Sequence, residues 1–232
     1  MSTYEPQTQL SPLELSPGGP AVVAIGGGHG LAQALEAVLA YASSVTGIVT
    51  VADDGGSSGR LTSTLDIPPP GDVRKALLAL SPEPSVFGEL FAYRFEDTDV
   101  AGHSLGNLIL ASLTDLLGDF TTAIRTAEVM LGALGRVIPA APTSLHLQAT
   151  IDGTIVEGQA TINSTRGRIE EMKLIPEDTK ATREALDAIT EADQIVIGPG
   201  SLYTSLITAL MVPGIPEAVE AARGRLIWVM NL

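Results

Sequence analysis

The sequence contains no cysteine. Disulfides, thiolate metal sites and cysteine nucleophiles are excluded, and the composition fits a reducing compartment, so a cytoplasmic location is expected. Positive charge is scarce as well. Thirteen Lys and Arg stand against 27 Asp and Glu, for a formal charge of −14. The lysines are Lys75, Lys173 and Lys180, which makes no polybasic tract. A field of that sign opposes nucleic acid and anionic membranes, which are held through clustered Lys and Arg. Neither is expected as a partner. An anionic small molecule stays open, because charges beyond about 8 Å are screened at physiological salt and a few local donors then govern a site. No apolar run approaches the roughly 20 residues of a membrane span. The start, MSTYEPQTQLSPLELSPGGP, has neither the basic nor the apolar region of a secretory signal.

What is present reads as a globular α/β protein. The 232 residues are 45% hydrophobic, with 24 Gly and 15 Pro punctuating the chain. Residues 1–20, with Pro12, Pro17 and Pro20 among Ser and Gly, are expected to form a flexible tail. Residues 21–232 are expected to form a single nucleotide-binding domain. AVVAIG (21–26) is apolar without alternation, as a strand covered on both faces would be. A helix should follow, with Leu31, Leu35, Val38, Leu39 and Ala42 on one face. TGIVTVA (46–52) reads as the next strand, followed by a long loop and a helix from Val73 capped by Asp72. Helices are expected over 84–95, 104–117 and 120–134. SLHLQATIDGTIVEGQATI (144–162) reads as two strands around the turn Asp152-Gly153, with a third strand over 167–175. These strands are either an antiparallel addition to the main sheet or a small lobe beside it. Helix 181–191, strand 194–198, helices 201–210 and 216–222, and strand 225–232 complete the pattern. The fold class expected is a doubly wound, mostly parallel Rossmann-like sheet with an antiparallel β-hairpin addition. Ligands of such sheets bind beyond the carboxyl ends of the strands, where strand order reverses.

Four segments there carry candidate chemistry. Gly26-Gly27-Gly28-His29-Gly30 follows the first strand and opens a helix, the setting of an anion site or of a tight packing turn. It is not the full dinucleotide fingerprint, since Leu31 stands at the last glycine position. Asp53-Asp54-Gly55-Gly56-Ser57-Ser58-Gly59-Arg60 follows the second strand. Asp53 is placed to meet a ribose hydroxyl, and the Asp53–Asp54 pair can hold Mg²⁺. The Gly/Ser stretch can form a nest of N–H groups, and Arg60 can pair with a phosphate. Gly198-Pro199-Gly200-Ser201-Leu202-Tyr203 repeats the strand–glycine–helix order, with Ser201 as a helix cap or a phosphate contact. In Gly102-His103-Ser104-Leu105-Gly106-Asn107, His103 and Asn107 would share a helix face if Ser104 caps it. His146 reads as structural or solvent-facing.

Together VVAIGGGHGL, IVTVADDGGSSGRL, IPPPGDVRKAL, Tyr93-Arg94-Phe95, GHSLGNLILASL and IVIGPGSLYTSL resemble the YvcK-type gluconeogenesis factor family. That family lies in the CofD-like superfamily of 2-phospho-L-lactate transferase, and the resemblance covers 21–232. It implies a Rossmann-like fold and a bound nucleotide or UDP-sugar such as UDP-N-acetylglucosamine. The ligand contacts would be the loops above together with Asp72, His103, Asn107 and Tyr203. The implied role is regulatory, linking carbon use to cell shape and wall synthesis, with a homo-oligomer and regulatory protein partners compatible with it. His29 stands where family members often carry Thr. The chain stops on LIWVMNL where the family continues, so a domain lacking the family's C-terminal part is expected. The alternative is a Mg²⁺-dependent transferase moving a phospholactyl group from a nucleotide donor to a deazaflavin. GRLTSTLDIPPPGDVRKAL does not match that branch's Ser-Pro-Asp-type motif. An NAD-dependent oxidoreductase is disfavoured by the incomplete fingerprint and the second glycine loop.

Arg60 is the local cation that sets phosphate affinity in this reading. A hydrogen bond to a charged group contributes about 1.5–3 kcal/mol, so Arg60→Ala should weaken nucleotide binding about 10- to 150-fold by calorimetry.

Overall fold

The structure, a computed structural model, describes residues 15–52, 55–65, 67–82, 85–96 and 101–230. The chain opens with β1 (Ala21–Gly26), α1 (Gly28–Leu39) and β2 (Ser44–Val49). Five helices follow: α2 (Gly56–Leu65), α3 (Pro70–Ala79), α4 (Val86–Ala92), α5 (Leu105–Leu117) and α6 (Phe120–Leu131). Then come β3 (Arg136–Pro139), β4 (His146–Ile151), β5 (Thr154–Glu157), α7 (Gln159–Ser164) and β6 (Ile169–Ile175). The last part holds α8 (Arg183–Glu191), β7 (Gln194–Ile197), a π-helical turn (Leu202–Ile207), α9 (Thr208–Leu210), α10 (Ile215–Ala221) and β8 (Arg225–Trp228).

Five strands form one parallel sheet in the order β3-β2-β1-β7-β8. β1 is central, with Ile25 opposite Ile48 of β2 and Ile197 of β7. Its run Val22–Ile25 is buried, which is why it lacks polar alternation. The α1 stripe is also buried as its spacing requires, at Leu31, Leu35, Val38 and Leu39, with Ala42 just beyond. Gly47 lets Leu35 settle on β2: a Cβ there would lie 3.0 Å from Leu35 Cδ1. Each such aliphatic side chain contributes roughly 1.5–3 kcal/mol by burial.

β4, β5 and β6 form a separate antiparallel sheet in the order β5-β4-β6. The choice between an added edge and a small lobe thus resolves as a lobe. Asp152 and Gly153 both have positive φ, as the hairpin signal demands. Several boundaries differ from the sequence reading. α2 begins at Gly56, inside what reads as a loop; Leu61 anchors it by packing with Ile67 and Ala111. α3 begins at Pro70, not Val73, and Asp72 is not its cap but a buried first-turn residue. Pro at the first helical position has no N–H to forfeit and a preset φ, so it starts the helix earlier. β3 was not foreseen; it is four residues long and ends in Pro139, which suits the edge of a sheet. Residues 159–164 are helical rather than the end of a strand. Among the described residues no single helix is long and apolar enough to cross a membrane.

Asp119 caps α6, its carboxylate accepting from the Thr122 N–H and hydroxyl, each at 2.6 Å. Those bonds, the hydroxyl first, hold its carboxyl below the ordinary aspartate range against slight desolvation. Asp119→Ala should cost about 1 kcal/mol in urea unfolding near neutral pH. Since the folded value is lowered, the difference is present above the unfolded value of about 3.9 and fades as pH falls through the folded one.

Candidate functional site at the strand ends

The chain leaves β1 for β2 on one side of the sheet and returns to β7 on the other. Strand order therefore reverses between β1 and β7, and the loops after them flank the crevice where ligands of such sheets bind. The loop after β2 emerges beside them, and Thr50 N–H donates to Gly26 O at 2.9 Å.

The first glycine loop is tightly wedged. Gly27 is the extended residue that caps α1, and Gly28 follows with φ +67. A Cβ on Gly27 would lie 2.6 Å from Thr50 Cγ2 and 2.7 Å from Asp72 Oδ2. Asp72 is buried, and its Oδ1 accepts from Lys75 Nζ at 2.8 Å. Thr50 is fully buried, yet its Oγ1 finds no hydrogen-bond partner among the described residues. Leaving such a hydroxyl unpaired costs about 1–3 kcal/mol, and its place is directly under the glycine loop. Gly30 meets the third loop: a Cβ there would overlap the Pro199 carbonyl. The first and third glycine loops are thus in van der Waals contact.

The third loop, with a cis Gly198–Pro199 bond, runs into the π-helical turn. Ser201 precedes that turn, but its side chain makes no capping bond. Its Oγ lies 2.9 Å from Thr204 Oγ1, which lies 3.1 Å from Asn163 Oδ1 on α7. Gln159 Nε2, also on α7, donates to the Thr204 carbonyl. Tyr203 is exposed beside them.

The remaining candidates are distributed as follows. His29 is exposed in the first turn of α1. Asp53 and Asp54 lie outside the described residues. Gly55 precedes α2; Gly56, Ser57, Ser58 and Gly59 form its first turn, with Ser58 buried. Arg60 belongs to that helix rather than to a loop, and its side chain is outside the described set. Ser104 does cap α5, accepting from Asn107 N–H at 3.3 Å. That leaves His103 before the helix, so it does not share a helix face with Asn107; its carbonyl accepts from Phe95 N–H at 3.0 Å. Asn107 turns inward, accepting from Arg74 Nε at 3.1 Å. Burial pushes the Arg74 guanidinium below its ordinary value, Arg94 adds repulsion, and Asp72 opposes both. Arg74 thereby ties α3, which carries Asp72, to the start of α5. Neither Thr50, Arg74 nor the α7 pair has a sequence signature: each is an ordinary polar residue until packing sets its neighbours. His146 is solvent-facing as expected.

The family model for 2-phospho-L-lactate transferase CofD matches residues 22–232. The chain belongs to that family. Within it, the chain is 49% identical over 213 residues to a protein of Halalkalibacterium halodurans named gluconeogenesis factor, covering 91% of this chain and 66% of that one. It is 46% identical over 215 residues to the Bacillus subtilis protein of the same name, covering 92% and 68%. A crystal structure of a Bacillus halodurans protein superposes with a TM-score of 0.89 at 48% identity, covering 92% of this chain and 70% of that one. The chain thus spans about two thirds of the length of these relatives. The doubly wound fold is shared with that structure, and the YvcK-type resemblance agrees with the names the relatives bear.

Gly27→Ala should lower stability by about 1–3 kcal/mol, because Thr50 and Asp72 are backed by the core and cannot withdraw. Gly18→Ala, with nothing within 4 Å of its Cβ, should stay within about 0.5 kcal/mol of wild type. Equilibrium unfolding of both variants checks the pair.

Proposed function

We propose that the chain binds a nucleotide sugar of the UDP-N-acetylglucosamine type at the strand-end crevice, and acts as a regulatory gluconeogenesis factor rather than through turnover. The meeting of the first and third glycine loops across the strand reversal carries this reading. A Cβ on Gly30 would overlap the Pro199 carbonyl, so the two loops adjoin at the end of the sheet where ligands of such folds bind. The helices α1 and α2 begin at the same end of the sheet, and their N–H groups suit the phosphates. Asp53 would meet the ribose, and Arg60 would offset the carboxylates beside the phosphates. Asp53 and Asp54 are the residues that would hold Mg²⁺, whose positive charge would offset that of the phosphates. The names of the relatives support a role in carbon use; the link to cell shape and wall synthesis comes with the same proposal, as do a homo-oligomer and regulatory protein partners.

The second reading is a Mg²⁺-dependent transferase moving a phospholactyl group from a nucleotide donor to a deazaflavin. The description of the matching family model favours it. Incubating the protein with such a donor, a deazaflavin acceptor and Mg²⁺ separates the two readings, since product would establish turnover.

A thermal-shift series with UDP-N-acetylglucosamine, GDP and NAD, each with and without Mg²⁺, should give its largest shift with the first. Thr50→Val replaces the unpaired hydroxyl by a methyl of the same shape. The variant should gain up to about 1–3 kcal/mol in equilibrium unfolding. No shift of the wild type by any UDP-sugar would overturn the proposal.

A further inference from the structure

A chain of hydroxyls sets which hydrogen-bonding role Ser201 can play. Thr204 Oγ1 lies 3.1 Å from Asn163 Oδ1 and 2.9 Å from Ser201 Oγ. Thr204 is buried, and Gln159 Nε2 holds its carbonyl, so its side chain has little freedom to turn away. A hydroxyl has one proton, and an amide oxygen can only accept. The Thr204 proton is therefore committed to Asn163. For the contact between the two hydroxyls to be a hydrogen bond, Ser201 must supply the proton and Thr204 must accept it. Ser201 is exposed, so what it presents to the crevice is oxygen lone pairs.

We infer that Ser201 is a specificity-determining residue that accepts a hydrogen bond from a hydroxyl or amide N–H of the ligand's sugar, and that it is not a phosphate contact. An ionised phosphate oxygen is an acceptor and would face the Ser201 lone pairs without a proton between them. This rests on the nucleotide-sugar reading above and adds a division of labour to it. The phosphates would belong to the first two loops, and the neutral, donor-bearing part of the ligand to the third. Thr204 and Asn163 are positioning residues for Ser201: they fix its proton without touching ligand. Thr204 lies in the same turn as Ser201, whereas Asn163 lies on α7, in the small lobe, far from Ser201 in sequence.

Calorimetric titration of UDP-N-acetylglucosamine tests the direction of the chain. Ser201→Ala should weaken binding about 3- to 10-fold, the worth of one neutral hydrogen bond. Thr204→Val is decisive, because the two roles of Ser201 respond with opposite sign. Removing the Thr204 hydroxyl releases the Ser201 proton. An accepting Ser201 then loses its orientation and affinity falls, whereas a Ser201 that donates to phosphate would bind more tightly. Thr204→Ser keeps the hydroxyl and should return affinity to within about 2-fold of wild type. Thermal unfolding of each variant is followed alongside; if Thr204→Val does not fold, Ser201→Ala titrated with UDP-N-acetylglucosamine and with pyrophosphate replaces it. A loss on the sugar nucleotide alone supports the inference, and an equal loss on both overturns it. Tighter binding by Thr204→Val, or no change in Ser201→Ala, also overturns it while leaving the nucleotide reading intact. A wild type that binds no nucleotide sugar removes the reading and the inference together.

Discussion

Two missing side chains hold the strand-end region together. At Gly27 the space for a Cβ is taken by Thr50 and Asp72, and at Gly30 by the Pro199 carbonyl. These approaches bring α1 down onto the crevice edge and press the loop after β1 against the loop after β7. The parallel register around β1 supplies the frame, since β2 and β7 pair with it on either side and end level with it. With a side chain at Gly30 the two loops would have to separate, and with one at Gly27 the first loop would be driven off Thr50 and Asp72. Close packing makes such displacement costly, because the neighbours are themselves buried.

The electrostatics of the region are local. A chain with charge −14 has no general attraction for an anion. Arg74 does not supply it: the guanidinium is buried and spent on Asn107, where it joins α3 to α5. Lys75 is spent on Asp72. Beside Arg60, whose side chain lies outside the described residues, what the region offers an anion is backbone: the N–H groups that begin α1 and α2, the helices that follow β1 and β2. Such donors are positioned by the fold and need no charged side chain to aim them.

The small lobe has a part in this geometry that its separate sheet does not suggest. Gln159 and Asn163 on α7 both bond to Thr204, and through it to Ser201. The third loop is therefore held from two directions, by Gly30 in the first turn of α1 and by α7 from the lobe. β8, on the far side of β7, is exposed at Leu226 and Trp228, with Met230 exposed just beyond it, while an apolar groove of about 320 Å³ runs between α1 and the other face of that strand, past Tyr41, Ile227 and Val229.

The period of the apolar residues was enough to determine β1, α1, β2, α5, α6 and the Asp152-Gly153 hairpin, because burial on one face or both writes itself into local spacing. The placement of glycine clusters after predicted strands likewise pointed to the carboxyl end of the sheet, where ligands of such folds bind. Elements held mainly by distant contacts were not legible. α2 begins among Gly and Ser, which disfavour helix, and rests on Leu61 meeting Ile67 and Ala111. β3 is too short to show a pattern and is a strand because β2 pairs with it. The same distinction runs through the site. Sequence alone selected Gly27, Gly30, Asp72, Asn107 and Ser201 as chemically suited residues. Only the tertiary structure decided that Asp72 lies under Gly27 and pairs with Lys75, that Asn107 serves Arg74, that His103 falls outside its helix, and that the buried Thr50 hydroxyl finds no partner among the described residues. Residue type and spacing act over a few positions of the chain, whereas a hydrogen-bond partner is settled by which segments the sheet and its crossovers bring within 3 Å of one another.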